Sequence, residues 1–325
     1  MQSNFTSEDV AIQGEYLLQG TLTLPGGIED KYPAMLVVAG SGEVDRDGNV
    51  SGFKFKLNTY KELAEFVTSL GFAVLCYDKR GVAKSKGSYL ETGMWDLVDD
   101  IGACVQFLKG HPRVDPDRLI LLGHSEGCLL ISAYSARNPV AGVVLLAGAV
   151  ETIEEALQRQ RKLLYGELMG KKGIKGWLLR LLKIDQKIEK QALRVMEKIR
   201  RTRKDVARIQ FVKMNAKWLR EHLEYNVRED LPKVTCPILA ITGSKDFQSD
   251  PNRLSELPGL AGGEVTWEII ENMNHPLKEA NDAISITQVK ALYKDSAAKP
   301  LHPELKDTIA KWLLKHAEMQ NEISY

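Results

Sequence analysis

Six short runs of mostly aliphatic residues divide this chain, and they restrict its fold more than any other feature. They are AMLVVA (34–39), FAVLCY (72–77), RLILL (118–122), AGVVLL (141–146), PILAIT (237–242) and VTWEII (265–270). The first four are apolar nearly throughout, so both faces of each strand must be covered, as in a parallel sheet. The segments between them have helical spacing. Leu63, Phe66 and Leu70 share one face of Tyr60–Leu70, and Leu97, Ile101, Val105 and Leu108 share one face of Trp95–Leu108. Ahead of the runs, DVAIQGEYLLQGTLTLPGG alternates about a turn and predicts a β-hairpin, and Pro303–Glu318 reads as a closing amphipathic helix. The fold class implied is α/β, with a mostly parallel central sheet flanked by helices.

Residues 151–230 break the rhythm. They hold 21 Lys and Arg against 12 Asp and Glu, in a chain of net charge +1. No strand-like run stands out, and helices are expected almost throughout, for example at Trp177–Ile184 and Lys187–Ile199. The organisation expected is therefore a core from 1–150 and 231–325, with 151–230 inserted as a helical cap, or lid, over the carboxyl ends of the strands. The basic character of the cap has three readings. It is a solvated surface, an attractant for an anionic substrate, or, through GWLLRLLK at 176–183, an amphipathic membrane contact. The solvated surface is the favoured one.

The sharpest chemical signal is Gly123-His124-Ser125-Glu126-Gly127, directly after RLILL and before a helix. Gly-x-Ser-x-Gly between strand and helix forces a tight turn that projects the serine hydroxyl away from the sheet. Gly123 and Gly127 are required because that turn leaves no room for side chains. A serine needs a base, and of six histidines His275 is the one in the loop immediately after the last strand, Asn272-Met273-Asn274-His275. Asp246, after the penultimate strand, is placed to orient the imidazole. Asp250 is the competitor but reads as a helix cap before Pro251. Negative charge developing on a carbonyl oxygen needs two donors. The backbone N–H groups of Glu126 and of Ser41, in Gly40-Ser41-Gly42, are the candidates. Asp78 and Arg80 read as an ion pair bracing loop 43–49, in preference to support for the Gly40–Gly42 loop.

Taken with Asp45-Arg46-Asp47-Gly48-Asn49 and Tyr77-Asp78-Lys79-Arg80-Gly81, these motifs resemble bacterial α/β-hydrolases of the EstD-like carboxylesterase group. The resemblance runs from the hairpin to the final helix and is weakest in the cap. It implies the α/β-hydrolase fold, Ser125 as nucleophile, Asp246 as acid, His275 as base, and hydrolysis of short-chain acyl esters. Cys128 and the Pro276-Leu277-Lys278 that follows His275 depart from the group's pattern. An acyl-CoA thioesterase or acyltransferase would use the same triad, a peptidase is a further enzyme rival, and a non-catalytic binding protein of this fold is the rival of a different class. An aspartate nucleophile, as in haloalkane dehalogenases, is excluded by Ser125.

Composition adds limits. At 325 residues and 44% apolar content the chain can build a sizeable core. Its near-zero net charge argues against nucleic acid as a partner. The polar, acidic first twenty residues do not read as a signal peptide, no apolar run approaches the ~18–20 residues of a membrane span, and the four cysteines are scattered. A cytoplasmic monomer or homodimer acting on a small-molecule ester or thioester is expected. No metal-ligand spacing or nucleotide-binding loop appears, so no cofactor is expected.

Overall fold

The computed structural model describes residues 5–27, 29–209, 211–281 and 285–323. The expected hairpin forms from β1 (Phe5–Gln13) and β2 (Leu17–Pro25). The apolar runs become β3 (Tyr32–Val38), β4 (Ala73–Tyr77), β5 (Val114–His124) and β6 (Gly142–Leu146). An eight-stranded sheet has the order β1-β2-β4-β3-β5-β6, followed by the strands Ile238–Gly243 and Val265–Ile270. Within this sheet only the pairings of β2 are antiparallel.

Alternate residues of the same strands feed two separate cores. Leu36, Leu75, Leu121 and Leu145 pack with α2 (Met94–Gly110) and α3 (Glu126–Ser135). Met35, Val74, Leu122 and Val144 face the other way, onto α1 (Thr59–Ser69) and the C-terminal helix Pro303–Ile323. Each fully buried aliphatic side chain contributes about 1.5–3 kcal/mol, and this two-sided burial is what a continuous apolar run encodes.

Between β6 and the strand Ile238–Gly243 the chain forms α4 (Ile153–Met169), α5 (Gly173–Leu181), α6 (Ile184–Arg201) and α7 (Ala216–Glu224). Thr152 caps α4 reciprocally with Glu155: Thr152 N–H donates to Glu155 Oε2 at 2.9 Å, and Glu155 N–H to Thr152 Oγ1 at 3.3 Å. Two expectations are corrected. Between α6 and α7 lies a two-stranded hairpin, β7 (Val206–Ile209) and β8 (Val212–Asn215), where no strand was expected. Four residues per strand carry too little alternation to read, and Ala207 is buried in a small core with Ile199, Ala216 and Leu219. The helix expected over Trp177–Ile184 also breaks, because Lys183 takes a left-handed conformation (φ 49°) and starts α6 on a new axis.

The chain then returns to the sheet as β9 (Ile238–Gly243) and β10 (Val265–Ile270), and closes with α8 (Val289–Ser296) and α9 (Pro303–Ile323). Gly40, Lys79, Ser125, Asp246 and His275 all follow the carboxyl ends of sheet strands, which gathers them along one edge.

Candidate active site

Ser125 joins β5 to α3 with φ 56° and ψ −118°, a conformation that costs a non-glycine residue about 1–3 kcal/mol. Its N–H donates to the Leu146 carbonyl at 2.8 Å, which helps hold the turn. Crowding explains the flanking glycines. A Cβ on Gly127 would strike the Val38 carbonyl, and one on Gly123 would strike the Gly127 backbone. Glu126 is the first residue of α3, so its N–H has no acceptor within the helix.

Asp246 and His275 meet. His275 Nδ1 lies 2.8 Å from Asp246 Oδ2, both side chains being buried. Asp246 Oδ1 accepts from the N–H groups of Gln248 (2.8 Å) and Ser249 (3.0 Å), which fixes the carboxylate. With Nδ1–H donated to Asp246, Nε2 is the imidazole nitrogen left to accept a proton. Asp250 instead caps the next turn through Asn252 N–H.

His124, Tyr60 and Lys79 were not assigned a part by sequence reasoning. Gly40 N–H donates to Tyr60 Oη at 3.0 Å, and the same oxygen lies 2.9 Å from His124 Nδ1. His124 Nε2 is 2.9 Å from the His275 carbonyl, which can only accept, so His124 carries its proton on Nε2 and accepts from Tyr60 at Nδ1. Burial, aided by neighbouring His275, lowers the His124 pKa to about 3. His124 is thus a neutral strut between the Gly40 loop and the His275 loop.

Lys79 Nζ donates to the Gly40 carbonyl at 2.6 Å and lies 3.4 Å from Glu126 Oε2. Gly40 is therefore tethered at both its N–H and its C=O, which positions the following Ser41 peptide. Gly42 takes φ 88°, a value suited to glycine. The Glu126 carboxylate also accepts from the Trp218 indole of α7, and His222 Nε2 sits 3.2 Å from Oε1 without hydrogen-bond alignment. Burial alone would raise the pKa of Glu126, but Lys79, His222 and Trp218 outweigh it and hold the carboxyl at about 2. One carboxylate thus joins the Gly40 loop, the residue after Ser125 and α7.

Asp78 and Arg80 do not pair with each other. Asp78 binds Arg46 through Nε (3.1 Å) and Nη2 (2.9 Å), bracing loop 43–49, while Arg80 grips Asp100 of α2 and Glu15.

Two cavities meet at Ser125, and Ser41 lines both. One, of about 140 Å³, is walled by Leu129, Val150, Ile153, Leu157 and Trp218. The other, of about 240 Å³, is walled by His275, Tyr60, Leu57, Val289 and Tyr293.

The model of the serine aminopeptidase S33 family matches residues 49–281. Esterase EstD of Thermotoga maritima is 28% identical over 315 residues, 96% of this chain and 68% of that protein. Est1E from Butyrivibrio proteoclasticus with ferulic acid bound is similar in structure at a TM-score of 0.56 and 18% identity, covering 88% of this chain and 96% of that one. An α/β hydrolase, GrgF from a Penicillium species, gives a TM-score of 0.54 at 14% identity, over 90% of this chain and 98% of that one. The eight-stranded, mostly parallel sheet with flanking helices is the α/β-hydrolase fold.

Proposed function

This chain belongs to the serine aminopeptidase S33 family, and on that premise we propose that it is a carboxylesterase-like serine hydrolase that turns over short-chain esters through an acyl-serine intermediate. The observation that carries the reading is Ser125 at a strained strand-to-helix turn between two cavities, with the Asp246–His275 pair beside it. In this reading His275 Nε2 removes the Ser125 proton as the hydroxyl attacks the ester carbonyl. Asp246 holds the imidazole and stabilises its cation. The N–H groups of Ser41 and Glu126 receive the oxyanion, each donor contributing about 2.7–4 kcal/mol by analogy with other sites. His275 then protonates the leaving oxygen, and water hydrolyses the acyl-serine by the same route.

The direction of that proton transfer assigns the cavities. The leaving alcohol belongs in the cavity that His275 lines, and the acyl group in the other. A cavity near 150 Å³ holds a benzene-sized guest, so the 140 Å³ acyl cavity suits chains of about four to six carbons. Residues 151–230 act as the cap in this reading, since Ile153, Leu157 and Trp218 roof the acyl cavity.

The test is a series of p-nitrophenyl esters of rising acyl length, with acyl-CoA thioesters and aminoacyl p-nitroanilides in parallel, on wild type and Ser125→Ala. Turnover should fall steeply beyond about six carbons, and Ser125→Ala should lose both turnover and fluorophosphonate labelling. A preference for acyl-CoA would replace esterase with thioesterase, and a preference for the anilides would replace it with peptidase. No turnover and no labelling of wild type would leave a binding protein.

A further inference from the structure

On α5 and its C-terminal cap, Ile174, Trp177, Leu178, Leu181 and Leu182 recur at the spacing i, i+3, i+4, i+7, i+8, the stripe by which a surface helix faces its core. Here the stripe faces solvent. These side chains are 77%, 57%, 41%, 61% and 49% exposed, respectively, and nothing among the described residues covers them. Gly176 is buried on the opposite side of the helix, against the Lys171 backbone. Single exposed apolar residues are ordinary, but a contiguous stripe of this kind marks a contact surface.

The surrounding charge identifies the contact. Residues 171–204 hold 13 Lys and Arg against 3 Asp and Glu. Lys171 and Lys172 stand exposed before the stripe, and Lys183 and Lys187 stand exposed after it. A second copy of the chain on this face would set these lysines against one another. An anionic lipid surface satisfies both features, taking the stripe into the acyl boundary while the lysine ammonium groups remain among the headgroups. At about 1.5 Å per residue the helix is about 13 Å long, so it would lie in the interface. No helix among the described residues is long and apolar enough to cross a membrane.

We propose that α5, with its flanking lysines, docks the protein reversibly on anionic membrane surfaces. This goes beyond the esterase reading and does not depend on it. The test is co-sedimentation of the full chain with phosphatidylcholine vesicles, with and without 30% phosphatidylglycerol, at 0.1 and 0.5 M salt. Binding should be at least tenfold stronger to the anionic vesicles and should be lost at high salt. Trp177→Ser/Leu181→Ser should weaken it at least tenfold. Because both side chains are exposed, the variant should fold as wild type does and keep its rate on p-nitrophenyl acetate. Three results would overturn the proposal: no wild-type binding to anionic vesicles, equal binding by the double variant, or a vesicle-free dimer that the double variant converts to monomer.

Discussion

Replacing Glu126 by Gln keeps the shape of the side chain and a carbonyl to accept from the Trp218 indole, but it removes the charge opposite Lys79. The Lys79 side chain is only 3% exposed and would keep just the Gly40 carbonyl. Glu126 titrates near 2 in the folded protein against an ordinary value of 4.5. At about 1.4 kcal/mol per pH unit, that difference contributes about 3 kcal/mol at neutral pH. The loss of one partner of a buried ion pair gives a similar figure, about 3–5 kcal/mol. Because the folded value is depressed, this stability is fully present above pH 4.5 and disappears as the pH falls through about 2. Urea titrations of wild type and Glu126→Gln should therefore differ by about 3 kcal/mol at pH 7 and by about half that at pH 3. Taking the difference between the two proteins removes the other carboxylates from the comparison. A gap below about 1 kcal/mol at pH 7, or one that stays constant down to pH 3, would refute the assignment of Glu126 as the ionised hub.

Tyr60→Phe removes both the acceptor for Gly40 N–H and the donor to His124. It should cost about 1–3 kcal/mol in urea unfolding and lower kcat on p-nitrophenyl acetate with little change in KM. Asp246→Asn should lower kcat by about 10³–10⁴ while circular dichroism shows an intact fold. Gly127→Ala drives a methyl group against the Val38 carbonyl, and a loss of about 1–3 kcal/mol should appear as a lower Tm in calorimetry.

The central sheet was legible because each buried strand carries its own evidence in four to six consecutive apolar residues. Ser125 was legible because local sterics at Gly123 and Gly127 write the turn into five adjacent positions. Asp246 and His275 could be placed from strand order, and the structure brings them together at 2.8 Å. Tyr60, Lys79, Trp218 and His222 were not legible. They come from α1, the turn after β4 and α7, and nothing near any of them in the chain marks a neighbour at Gly40 or Glu126. Asp78 and Arg80 were visible as charges, but the partners they take, Arg46 and Asp100, are choices made by packing. The β7–β8 hairpin escaped notice because its pairing is specified by a small core whose members are spread from Ile199 to Leu219.

The double duty of Glu126 bears on how this scaffold can be recombined. An engineer who exchanges residues 151–230 for the corresponding segment of another hydrolase removes Trp218 and His222 and leaves the carboxylate without two of its neighbours. Exchanging the Ser125 motif alone instead leaves Lys79 and α7 facing a side chain that no longer answers them. Crossover points should therefore be chosen so that Lys79, Glu126 and α7 are inherited together, and chimeras that split the three should be recovered mainly as misassembled protein.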